Sequence, residues 1–165
     1  MIDIKKLTFF NILNKTNLVS LITILTLFIA DRITKNLIIN NQEFLSSSVY
    51  INDFLNFELV WNTGIGFGLF SLEANLLYHF ITLLIFIIIM TLIYLIYLNR
   101  INNKFFFSMI IGGGLGNIYD RLIYHAVPDF IDLHFNQYHW FTFNLADIFI
   151  TMGIIVILMR DIIKE

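Results

Sequence analysis

Two aspartates, Asp129 in VPDF and Asp147 in FNLAD, close a stretch that contains no Lys or Arg between them. Carboxylates held in contact do not both ionise easily, so they share a proton and titrate as one coupled unit. One member then serves as general base toward a water while its protonated partner polarises a carbonyl, which is the division of labour in aspartic proteases. A competing structural reading exists for Asp147. It stands where the last apolar run begins, and a carboxylate there caps a helix and meets the positive end of its dipole. Asn144 is a second candidate for that cap, which would leave Asp147 for chemistry. Asp129, by position alone, is either half of a pair or an ordinary loop carboxylate.

Other chemistries find less to work with. The chain has no cysteine, which excludes disulfides, thiolate metal sites and a cysteine nucleophile. His125, His134 and His139 lack a compact ligand spacing, there is no H-E-x-x-H, and no metal site is expected. Ser46, Ser47 and Ser48 have no accompanying base motif. A net charge of -2 argues against nucleic acid as a partner.

The elements that must position the two aspartates are membrane-grade. Of 165 residues, 58% are hydrophobic and only 13% charged, against about 25% charged in ordinary soluble domains. Apolar runs predict spans at about 17–39, 74–99, 105–122 and 145–163, each near the 20 or so residues a bilayer requires. The first continues through DRITK, where Asp31-Arg32 argues against a signal-peptide cleavage site and for an uncleaved anchor. Asp31 and Lys35 are four apart and share a helix face, either as an internal ion pair or as part of a site. Residues 1–15 are mixed and compatible with a short surface helix. Leu55, Phe57, Leu59 and Trp61 alternate with polar residues in strand period and predict a small two-stranded ribbon on the outer surface. NTGIGFG follows, with Gly64, Gly66 and Gly68 at alternate places. The segment 123–144, rich in aromatics, reads as an interfacial loop or helix. In the third run Gly112 and Gly116 form a G-x-x-x-G pair, which in a span signals close helix packing.

Orientation follows from basic residues. Lys5, Lys6, Lys15, Arg100, Lys104, Arg160 and Lys164 lie at the termini and in the turn between runs two and three. Segments 40–73 and 123–144 hold neither Lys nor Arg, so the positive-inside rule puts both termini in the cytoplasm and these segments outside. At about 1.5 Å per residue, Asp31 and Asp120 each lie roughly 24 Å above the nearest cytoplasmic lysine of their own helix. Asp147 lies roughly 20 Å above Arg160 by the same rise. Three aspartates from three helices thus reach one level, together with Arg32, Lys35 and Arg121. Ionisable residues at that depth are functional-site candidates by default.

Five ordered pieces, DRITK (31–35), NTGIGFG (62–68), GGGLGNIYDRL (112–122), VPDFID (127–132) and FNLAD (143–147), give the sequence a family likeness. It resembles the bacterial lipoprotein signal peptidases, the signal peptidase II family, over nearly the whole membrane core. The resemblance implies a single integral-membrane peptidase domain over 1–165: an all-α protein of four transmembrane helices with a small extracytoplasmic β-sheet and a loop or helix between spans three and four. It implies an aspartic endopeptidase that removes signal peptides from diacylglyceryl-modified prolipoproteins, cutting before the lipidated cysteine. Carried over by motif, Asp129 and Asp147 are the catalytic pair, and no cofactor is implied. Asn62, Gly64, Asn117, Arg121 and Asn144 resemble the residues that line the site and hold substrate. Asp31, Lys35 and Asp120 resemble the polar residues that support it. The implied setting is the bacterial cytoplasmic (inner) membrane, the implied partners its lipid and the prolipoprotein substrates, and the implied state a monomer. Pro128 departs from the family's pattern, pushing Val127 toward an extended backbone and threatening to shift the loop. An ion-coupled carrier or proton channel is the alternative, since buried carboxylates also relay protons. A purely structural subunit is a third.

Overall fold

The computed structural model describes residues 14–41, 44, 47–65, 70–71, 76–136 and 138–164. Most of the N-terminal segment, Ser46, Gly66 and Gly68 lie outside the described residues, and so do the expectations attached to them.

Four helices form on the four apolar runs: α1 (Lys15–Ile39), α2 (Leu76–Tyr97), α3 (Lys104–Ile123) and α4 (Leu145–Lys164). At 1.5 Å per residue, even the 20-residue helices are about 30 Å long, the thickness of a hydrocarbon core. By length and composition α1 and the Tyr78–Tyr97 part of α2 are apolar enough to cross a membrane. Large apolar side chains cover the outside of the bundle, among them Ile22, Leu83, Ile87, Ile155 and Leu158. Apolar surface on that scale needs a lipid or protein neighbour. Helix ends are written in asparagine. Asn14 caps α1 by accepting the Asn17 N–H at 2.8 Å, and Asn99 and Asn103 take the left-handed backbone that turns the chain between α2 and α3.

The α3 helix is central, packed against α1, α2 and α4. Its glycines permit this, because each opposes a different neighbour. A Cβ at Gly112 would meet Ile24 and Leu27 of α1, one at Gly114 would meet Ile89 of α2, and one at Gly113 would stand 2.5 Å from the Ala146 carbonyl oxygen of α4. The Gly112–Gly116 spacing therefore does serve helix packing. Gly113→Ala should force α3 and α4 apart and destabilise the protein by about 1–3 kcal/mol, the usual cost of overpacking. Thermal unfolding in detergent would register this as a lowered midpoint.

The part outside the four helices differs from expectation. The small β-sheet expected beside the four helices is present but exceeds a two-stranded ribbon, and an antiparallel four-stranded sheet sits at one end of the bundle. It is built from β1 (Val49–Asn52), β2 (Leu55–Asn62), β5 (Val127–Phe135) and β6 (Tyr138–Phe143), in the order β1-β2-β5-β6. A second, two-stranded sheet pairs β3 (Gly64–Ile65) with β4 (Phe70–Ser71). The segment between α3 and α4 is thus a β-hairpin, neither loop nor helix. Its first strand is buried on both faces along Val127–Phe130, which erases the alternation by which a strand is read from sequence.

One irregularity in the sheet decides which side chains meet. β2 pairs Phe57 with Ile131 but then Val60 with Asp129, so two residues of β2 oppose Phe130 alone. The extra residue flips the side-chain alternation beyond it. Asn62 is thereby buried on the face that Asp129 occupies, whereas Trp61, expected on the face of Leu55 and Phe57, turns outward against Tyr124. Pro128 fits the strand without disturbing it. It is the second residue of β5, and β6 begins pairing only at Ile131. Its missing N–H therefore lies where the ladder is one-sided.

Candidate active site

Asp129 enters from β5 and Asp147 from the first turn of α4, and asparagines from three elements hold them. Asn62 of β2 donates Nδ2–H to Asp129 Oδ2 at 2.8 Å, and Asn144 donates Nδ2–H to Asp129 Oδ1 at 2.6 Å. Asn117 of α3 donates Nδ2–H to Asp147 Oδ1 at 2.8 Å. Asn144 also accepts the Asp147 N–H at 3.1 Å while Asp147 Oδ2 accepts the Asn144 N–H at 3.3 Å, a reciprocal capping box at the start of α4. The choice posed above between Asn144 and Asp147 as cap is therefore not a choice. Both cap, Asp147 with one oxygen, and Asn144 is the residue common to the two carboxylates.

Asp129 is buried to 2% exposure at the base of a cleft of about 340 Å³. Val60, Asn62 and Gly64 line one side, Trp140 and Thr142 the other. Burial first, then the neighbouring Asp147 carboxylate, pushes Asp129 up to about 7, against the hydrogen bonds from Asn62 and Asn144 and the Lys35 charge. Asp147 borders a second cavity, apolar and about 220 Å³, with Phe143, Ile148, Thr151 and Met152. The two carboxylates thus lie between a polar cleft on the sheet and a greasy one on the bundle.

The remaining charges form a buried cluster behind them. Asp120 accepts from Arg32 Nη1 at 2.5 Å, from Arg32 Nη2 at 2.8 Å and from Lys35 Nζ at 2.7 Å. Asp31 lies 2.7 Å from Arg32 Nη2 and 3.0 Å from Lys35 Nζ, so the pairing along α1 is present and Asp31 shares the cluster with Asp120. Two acids meet two bases, and unpaired burial of any one would be strongly destabilising. Arg121 sits apart, donating to the carbonyl oxygens of Asn117 and Gly64 at 3.3 Å each, which fastens β3 to α3.

A family model described as signal peptidase (SPase) II matches residues 23–163, which span both carboxylates and the cluster behind them. The chain belongs to the signal peptidase II family. A lipoprotein signal peptidase of Pelagibacter ubique (strain HTCC1062) is 47% identical over 155 residues, covering 91% of this chain and 93% of the relative. One from Thermodesulfovibrio yellowstonii is 40% identical over 145 residues, covering 87% and 94%. A solved structure of a bacterial membrane enzyme superposes with a TM-score of 0.74 at 28% identity, over 87% of each chain. These relatives support a peptidase in the membrane and lend none to the carrier or channel.

The structure brings together all ten residues singled out from sequence, as two carboxylates, three asparagine holders, Asp31, Lys35 and Asp120 of the ion cluster, and Arg121 with Gly64 beside them. Gly64 joins through its carbonyl. Arg32, placed at that level from sequence but not among the residues the family resemblance implies for the site, joins the cluster through Asp31 and Asp120. The hairpin also brings His134 and His139 together, with His139 Nδ1 2.7 Å from Asp132 Oδ2. Among the described residues no group of three or more such side chains could hold a metal ion.

Proposed function

We propose that this chain is a membrane aspartic endopeptidase that cleaves signal peptides from diacylglyceryl-modified prolipoproteins, with Asp129 and Asp147 as its catalytic pair. The observation that carries the assignment is the shared grip of Asn144 on both carboxylates, one lining the cleft on the sheet and the other the apolar cavity on the bundle. Asp129, pushed up to about 7, is the member that holds the shared proton below that pH. Asp147 takes a proton from a water as that water's oxygen bonds to the scissile carbonyl carbon. Asp129 gives its proton to the carbonyl oxygen, and a neutral gem-diol results. Collapse breaks the C–N bond as a proton passes to the leaving amine. Buried donors around the pair are fixed before substrate arrives, so little reorganisation accompanies the charge movement.

The substrate's extended peptide suits the cleft over Asp129, and its acyl chains suit the apolar cavity beside Asp147. The bond cut in this reading is the one just before the lipid-bearing cysteine, where peptide and acyl chains diverge. The four helices act as four spans of one domain in the bacterial cytoplasmic membrane, a monomer with both termini inside and the sheet outside. Reporter fusions at Asn102 and at the C-terminus should read cytoplasmic, and one at Ser47 external. An external reading at Asn102 would overturn the topology and the depth of the site. The activity is tested with purified protein in liposomes and a precursor offered with and without its diacylglyceryl group. Mass spectrometry should find a product beginning at the lipidated cysteine, formed from the modified precursor only. Equal cleavage of both precursors, or of neither, would contradict the assignment.

A further inference from the structure

The buried Lys35 has a partner that its charge does not require. An ammonium has three donors and no acceptor. Lys35 Nζ, at 0% side-chain exposure, pairs with Asp31 Oδ2 at 3.0 Å, donates to Asp120 Oδ2 at 2.7 Å and also donates to Asn117 Oδ1 at 2.8 Å. A primary amide has two nearly identical orientations, and only its partners select between them. Since Lys35 can only donate, the Asn117 oxygen must face it. The amide nitrogen then faces the other way, where it donates to Asp147 Oδ1 at 2.8 Å. The opposite orientation would set NH2 against the ammonium and a carbonyl oxygen against the carboxylate, two repulsive contacts, the first with the fully buried Lys35. The same ion cluster holds Asp147 by a second route. Asp31 Oδ1 accepts the N–H of Ala146, the residue before Asp147, at 3.1 Å. Gly116 makes that approach possible, because a Cβ there would lie 2.5 Å from Asp31 Oδ2.

We propose that Lys35 is a positioning residue for the peptidase reaction, acting through the Asn117 amide to fix the orientation and charge environment of Asp147. The inference rests on the assignment of Asp129 and Asp147 as the reacting pair. Asp31 and Arg32 on α1, Asn117, Asp120 and Arg121 on α3, Asp129 on β5 and Asp147 on α4 are the charged and amide groups around it. Lys35 opposes the upward push on Asp129, so its loss raises the pH at which the pair gives up its shared proton. A residue needed only for folding would change the yield of protein and leave that pH where it is.

The test compares Lys35→Met, Lys35→Arg and the charge-balanced pair Lys35→Met with Asp31→Asn, in liposomes, on the lipid-modified precursor, with rates per folded enzyme. Misplacing a catalytic group by about 1 Å costs on the order of 10²-fold, so kcat of Lys35→Met should fall by about that factor while KM changes far less. The alkaline limb of its pH profile should move to higher pH, and Lys35→Arg, which keeps the charge and a donor, should return the limb toward wild type. The charge-balanced variant should show the same fall in kcat with a smaller shift of the limb, and it carries the test if Lys35→Met does not fold. A folded Lys35→Met or charge-balanced variant with wild-type kcat and limb would overturn the proposal, as would failure of both to fold, which makes Lys35 a folding residue. An inactive wild type, or an active Asp147→Asn, would instead overturn the catalytic pair itself.

Discussion

Asp129→Asn and Asp147→Asn are each expected to give a folded protein whose turnover is lost, with kcat lower by at least the roughly 10²–10⁴-fold typical of acid–base catalysis. Asparagine keeps the size of the side chain but neither ionises nor trades a proton. The substitutions are not perfectly silent in the fold. Both oxygens of Asp129 accept from amide NH2 groups, and the donors have little freedom to turn. Asn62 Oδ1 is committed to the Gly64 N–H at 2.8 Å and Asn144 Oδ1 to the Asp147 N–H at 3.1 Å. An amide at position 129 therefore opposes donor to donor on one side, at a cost of about 1–3 kcal/mol. Binding of the lipid-modified precursor should survive in both variants, since its recognition rests on the cleft and the apolar cavity. A competition assay with wild-type enzyme would check this, and near-normal turnover in either folded variant would contradict the mechanism.

Asn144→Ala is expected to be the most damaging change outside the carboxylates. It removes the donor to Asp129 Oδ1 and the acceptor for the Asp147 N–H, and with them a residue that holds both groups. Loss of the cap costs about 0.5–2 kcal/mol of stability. Loosening of the pair lowers kcat by about 10²-fold, the scale of a misplacement near 1 Å. The pH profile separates these two effects. In the wild type Asp129 carries the shared proton below about 7, so kcat/KM should fall as pH rises through that value. The Asn144 hydrogen bond favours the ionised Asp129 and works against burial. Without it the carboxyl holds its proton to higher pH, and the alkaline limb moves up. A limb that stays in place or moves down would show that Asn144 serves the helix end alone.

The helices were legible because each is a long apolar run closed by asparagine or a basic turn. The level shared by Asp31, Asp120 and Asp147 followed from helical rise, and the structure joins all three through Lys35, Asn117 and Ala146. The sheet was harder to read. Its β5 strand is paired to β2 some 70 residues earlier in the chain and is buried on both faces where Asp129 sits, so period-2 patterning is absent there. The bulge opposite Phe130 was invisible because it is a property of two strands together. It reverses the faces of Trp61 and Asn62, and with them the residue that reaches Asp129. Asn62, Asn117 and Asn144 could be marked as polar residues of the site. That each spends its amide on a carboxylate depends on distances no spacing reveals.

The claim that Asp129 and Asp147 act as one unit is tested most directly by a double-mutant cycle on cleavage of the lipid-modified precursor, measured under single-turnover conditions. Residues that share one proton in one step lose nearly everything when either is changed. The Asp129→Asn, Asp147→Asn double variant should therefore be hardly slower than the slower single variant. Rate losses that multiply across the two positions would mean that the carboxylates act independently and do not form a catalytic pair.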